Sequence, residues 1–90
     1  MLDAYSQRYI YQNKFIHLTA IETDILEYLI DHKQRPANIN EICRYVYGEP
    51  DIKYIRNLRV YIFRLQHKFK GILLITSRIN IGYTIDYIGG

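Results

Sequence analysis

Ninety residues allow one domain with a single modest core and are too few for two, and the 49% hydrophobic and 23% charged content is that of a folding chain rather than a disordered one. The longest apolar runs, such as Ile72 to Ile75, fall far short of the ~20 residues a membrane-spanning helix needs, and "MLDAYSQRYIYQ" has neither the basic start nor the apolar stretch of a signal peptide. The net charge of +3 hides an asymmetry: residues 1–51 hold five Lys or Arg against eight Asp or Glu, whereas residues 52–90 hold seven against Asp86 alone.

In chain order, "RYIYQNKFIHL" alternates around Asn13-Lys14, which predicts a short hairpin carrying Tyr9, Tyr11 and Phe15. Thr19 and Glu22 form Thr-x-x-Glu, a capping box whose hydroxyl and carboxylate satisfy the first free amides of a helix. Ile21, Ile25, Tyr28 and Leu29 follow at helical spacing, so a first helix is predicted over 20–32, broken by "KQRPAN". Asn38 and Glu41 repeat the capping pattern. Ile42, Cys43 and Val46 then give a short second helix that stops at Gly48. Asp51 is a candidate cap for a third helix from about Lys53 to Phe69, ended by Gly71. "ILLITS" and "INIGYTIDYI" flank Arg78-Ile79-Asn80 and predict a closing hairpin, with Asn80 suited to a positive φ at the turn; Gly89-Gly90 reads as a frayed end.

Hairpin, helix, helix, helix, hairpin is an α+β layout, that of a winged helix-turn-helix with a short N-terminal hairpin and a C-terminal wing, filling residues 1–90 as one domain. The third helix carries the chemistry. At ~100° per residue, Leu58, Ile62, Leu65 and Phe69 fall in a band roughly 60° wide, which is the core face. Lys53, Arg56, Asn57, Val60, Arg64, His67 and Lys68 lie on the opposite side, within about 80° of Arg64. Arg and Asn match guanine and adenine edges, and Val60 suits a thymine methyl, so both chemistries of base readout are present. From Ile52 to Ile85 there are seven Lys or Arg and no acid, unlike a solvated face with mixed signs. A membrane-surface helix would need for lipid the apolar stripe that this helix needs for its core.

In these segments the chain resembles the OmpR/PhoB-type effector domain of bacterial response regulators, a winged helix-turn-helix that binds DNA, from about Phe15 to Tyr87. "LTAIETDILEYLI" is similar to its first helix, "NINEICRYVYG" to its second, "RNLRVYIFRLQHKF" to its recognition helix and "SRINIGYTI" to its wing strand. Gln66, Arg59, Tyr61 and Ile79 stand where that pattern usually has Arg, Asp, His and the wing's Arg. The resemblance implies a bacterial, cytoplasmic, nucleoid-associated regulator of the two-component type, with the third helix in the major groove and the wing on the adjacent minor groove. Arg56, Val60, Arg64 and Lys68 match positions that commonly face DNA, and Ser77 matches a phosphate-contacting hydroxyl, with Arg78 beside it. It also implies a head-to-tail homodimer on direct repeats, and RNA polymerase contact through the loop Gly48–Tyr54, which reads equally as a plain connector. The phosphate-accepting receiver domain is missing from these residues, which fits either an excised effector domain or a stand-alone regulator. The competing reading is a winged-helix protein-interaction module whose basic face meets an acidic protein partner, supported by Gln66 and Ile79.

Other chemistries find little support. His17, His32, His67 and Cys43 lack the paired spacing of a zinc site, so no metal or other cofactor is expected, and Cys43 reads as a small buried hydrophobe. Glu22, Asp24, Glu27 and Asp31 share one helix as a solvated face rather than a catalytic pair, and no enzyme is predicted. Tyr28, Tyr45 and Tyr83 read as core or rim packing with a wet hydroxyl.

Overall fold

The computed structural model describes residues 1–88, so the Gly89-Gly90 end lies outside the described residues. Three short strands open the chain: β1 (Leu2–Asp3), β2 (Arg8–Tyr11) and β3 (Lys14–His17). The predicted hairpin is β2–β3, but its turn is Gln12-Asn13, one residue earlier than Asn13-Lys14, because Tyr11 pairs with Lys14. Both turn residues have positive φ, 49° and 64°, the signature of the type I′ turn that matches the right-handed twist of flanking strands. β1 pairs antiparallel with the other edge of β2 and makes the sheet three-stranded.

Helices α1 (Ala20–Asp31) and α2 (Ile39–Tyr47) both begin at reciprocal capping boxes. The Thr19 hydroxyl accepts from the Glu22 amide at 3.1 Å while the Thr19 amide donates to Glu22 Oε1 at 2.8 Å. At α2, Asn38 and Glu41 do the same at 2.9 and 2.7 Å. Gly48 closes α2 with φ 87°, a left-handed conformation that only glycine adopts at no steric cost. Asp51 then caps α3 (Ile52–Lys68), its carboxylate accepting from the Lys53 amide at 2.9 Å. Each helix starts and stops within one residue of its sequence signals.

The C-terminal hairpin, β4 (Leu73–Arg78) and β5 (Gly82–Tyr87), runs in register from Leu73 opposite Tyr87 to Arg78 opposite Gly82, and Asn80 turns the tip at φ 62°. One further link fixes this hairpin. Tyr83 and the loop residue Ala37 exchange backbone hydrogen bonds, both 2.8 Å, so β5 is bridged to the segment just before α2. Gly82 is required there: a Cβ at that position would collide with the Ala37 carbonyl, and its φ is +142°.

The core lies where the three helices meet the hairpin. Ile25, Leu26 and Leu29 of α1, Ile42 and Cys43 of α2, and Leu58, Ile62 and Leu65 of α3 are buried together with Phe69. Leu73, Ile75, Tyr83 and Ile85 close it from the wing side, and Tyr9 of β2 sets its ring edge-on to Phe69 at 5.2 Å. The whole predicted apolar band of α3 is thus consumed by packing, each such side chain contributing about 1.5–3 kcal/mol.

Candidate nucleic-acid interface

With one side of α3 locked into the core, its polar side has nowhere to go but solvent. Lys53, Arg56, Asn57, Val60, Arg64, His67 and Lys68 are all exposed, as are Ser77 and Arg78 on β4. Asn57, Val60 and Arg64 come together on one shallow groove of about 380 Å³, whose far wall is made by Ile21, Tyr47, Tyr54 and Tyr61. Tyr47 and Tyr54 stack with ring centroids 4.5 Å apart, and the Lys53 ammonium sits 5.0 Å from the Tyr54 ring. Ser77 and Arg78 belong to a different place, a cleft of about 390 Å³ between the wing and the start of α2. Arg56 and His67 line neither groove; the His67 ring lies edge-on to exposed Phe63 at 4.5 Å.

Two side chains differ in role from their neighbours. Lys68 Nζ lies 3.1 Å from Glu22 Oε1 and 3.4 Å from Oε2, and Glu22 is only 7% exposed. Because the same carboxylate caps α1, Lys68 ties the end of the third helix to the beginning of the first. Lys53, Arg56, Arg59, Arg64, Lys70 and Arg78 have no ion-pair partner among the described residues. Gln66 is half-buried and donates to the Ile75 carbonyl at 2.9 Å. Glutamine in place of the usual arginine therefore sits at the α3–β4 joint and leaves the cationic face intact.

Arg59 is the residue that sequence reasoning left out. It lies roughly 140° from Arg64 around the helix and so outside the cationic band. The wing folds over that flank, and Arg59 shares the second cleft with Arg78, Asn38 and the hairpin tip. Its signals in the sequence were its membership of the acid-free stretch and its standing where the family pattern usually has Asp.

The acids are held elsewhere. Glu41 accepts two hydrogen bonds from Arg35, at 2.7 and 3.0 Å, and that guanidinium holds its carboxyl below the usual range. Glu27 on α1 accepts from the Tyr45 hydroxyl, which pushes the Tyr45 phenol up to about 12. Tyr28 also reaches Glu41 through its hydroxyl, at 3.1 Å, and Tyr83 is buried. Burial raises the Cys43 thiol, which donates to the Glu49 carbonyl and so pins the α2–α3 loop. Among the described residues, no three His, Cys, Asp or Glu side chains are grouped to hold a metal ion, and no helix is long and apolar enough to cross a membrane.

A family model described as the C-terminal domain of transcriptional regulatory proteins matches residues 12–85, from the first hairpin turn through most of β5. No curated protein matches the chain. The matched span holds all three helices, both cleft walls and the wing, and the chain belongs to this OmpR/PhoB-type family of winged-helix, DNA-binding transcriptional regulators, a family of binding domains rather than of enzymes.

Proposed function

We propose that α3 enters the major groove of duplex DNA while the β4–β5 hairpin rides as a wing on the adjacent minor groove, making the chain a sequence-specific transcription regulator. The observation that carries this reading is the solvent face of α3, where Arg56, Asn57, Val60 and Arg64 stand exposed with no acid among them. A helix ~10–12 Å across fits a groove ~12 Å wide, and the 17 residues of α3, about 25 Å long, reach across several base pairs. Arg56, Arg64, Asn57 and Val60 meet base edges. Lys53, His67, Ser77 and Arg78 position the phosphate backbone, while Lys68, held by Glu22, braces the end of α3. Residues 1–90 act as one DNA-binding unit, paired head to tail on direct repeats, with the Gly48–Tyr54 segment, whose loop ends at Asp51 and whose Ile52 to Tyr54 form the first turn of α3, offered to RNA polymerase.

The competing reading, a module for an acidic protein partner, keeps one supporting observation: the exposed apolar tip of the wing. Selection from a randomised duplex pool at several salt concentrations separates the two. DNA reading requires an enriched direct-repeat motif whose affinity falls with salt at a slope of about −0.9 per phosphate contacted. Weak, sequence-blind binding confined to low salt transfers the cationic face to a protein partner.

A further inference from the structure

The turn between β4 and β5 is built from Ile79, Asn80 and Ile81. Ile79 is 87% exposed and Ile81 57%, two large apolar side chains at the extremity of a hairpin that buries Leu73, Ile75, Tyr83 and Ile85 nearer its base. Such exposure is unfavourable in water and is relieved only when something apolar covers it. The tip is also held firmly: the Ile81 amide donates to the Arg78 carbonyl at 3.1 Å, and β5 is bridged to Ala37. Around it stand cations, Arg78 at its base and Arg59 across the cleft, both without an ion-pair partner among the described residues.

A surface that is apolar at its point and cationic at its flanks fits a polyanion with an apolar interior within reach. Duplex DNA has that construction, phosphates outside and stacked bases within. We propose that the wing tip is an apolar wedge: Ile79, supported by Ile81, enters a base-pair step from the minor groove and kinks the duplex, while Arg59 and Arg78 hold the phosphates on either side. The inference rests on the DNA-binding reading above. A branched aliphatic chain gains nothing from the negative potential of a narrow minor groove. It gains by leaving water for the face of an opened base step. The steps that open most readily are pyrimidine–purine steps, TA and CA/TG, so the wing selects for deformability at base pairs it does not hydrogen-bond.

The test uses the duplex recovered from the randomised pool, about 30 base pairs long, with a donor dye at one end and an acceptor at the other. A second copy carries 2-aminopurine at the step beneath the wing. With the wild-type chain bound, energy transfer should rise to the level of a bend in the range of ~20–90°, and 2-aminopurine fluorescence should increase as the step unstacks. The Ile79→Ser variant should bind with the same salt slope yet leave the duplex straight and the fluorescence low. Ile79→Arg should also leave it straight, and in a repeated selection should shift the enriched sequences toward A-tracts. A bound duplex that stays straight with the wild-type chain overturns the wedge and leaves the DNA reading standing, and an Ile79→Ser complex as bent as wild type does the same. A pool that yields no duplex removes both readings. If the duplex stays straight while anionic phospholipid vesicles capture the wild-type chain and not Ile79→Ser, the tip belongs to a membrane surface and the wedge is overturned.

Discussion

Arg64 and Lys68 sit one turn apart on α3 and carry the same charge, yet their surroundings give them different work. Arg64 touches only the rim of an open groove, so Arg64→Ala should leave the melting temperature unchanged and weaken binding to the selected duplex by about 1–3 kcal/mol. Lys68 neutralises a carboxylate that is almost fully buried, and Lys68→Ala strands it. Thermal unfolding should show a loss of about 1–2 kcal/mol for Lys68→Ala, the ammonium's partial exposure keeping the cost below that of a fully buried pair. Equal stability of the two variants would mean that the Glu22 contact contributes nothing. Periodicity correctly placed both residues on the outer face of α3. It had no access to Glu22, whose approach depends on how the first and third helices cross, and for the same reason the inward bond of Gln66 and the cleft position of Arg59 were not legible.

Among the elements, α2 depends most on its ends. A helix of nine residues is too short to be stable by itself in water, so its caps and its packing decide whether it forms. Asn38→Ala should therefore cost about 1 kcal/mol, measured by chemical denaturation. Glu41 adds a pH dependence of known sign. Its folded carboxyl is held below the ordinary value of 4.5, so its contribution is fully present above that value and disappears as the pH falls through the lowered one. The wild-type melting temperature should consequently drop more steeply below pH 4.5 than that of Glu41→Gln, which begins lower at neutral pH; parallel curves would show that the Arg35–Glu41 pair does not govern acid sensitivity. Helix boundaries were legible because caps are local, with donor and acceptor three residues apart. β1 was not, since two residues carry no periodicity, and the hairpin turn was displaced by one because Gln12 occupies a left-handed conformation that glutamine seldom favours.

At the scale of the whole molecule, the helix-turn-helix and the wing are separate in sequence and are joined through the Ala37–Tyr83 bridge. Gly82→Ala should destabilise the fold by about 1–3 kcal/mol, since the added carbon meets backbone and the φ suits only glycine. Faster hydrogen exchange at the Ala37 and Tyr83 amides in this variant, with slow exchange retained in the middle of α1, would locate the damage at the bridge. The fold class was legible from the order of elements, while the charge asymmetry between the two parts of the chain spoke only to an anionic partner. The bridge was not legible, because nothing local distinguishes Ala37, and Gly82 reads from sequence only as part of the second wing strand.

That bridge also bears on what DNA binding costs. A hairpin tethered only at its base would sample many orientations, and closing on a groove would mean surrendering them, at about 1–2 kcal/mol for each backbone residue ordered. Here β5 is secured to the helix-turn-helix before any ligand arrives, so the angle between wing and α3 is set during folding. The ordering entropy is spent once, when the chain folds, and each wing contact formed later is free to appear as affinity.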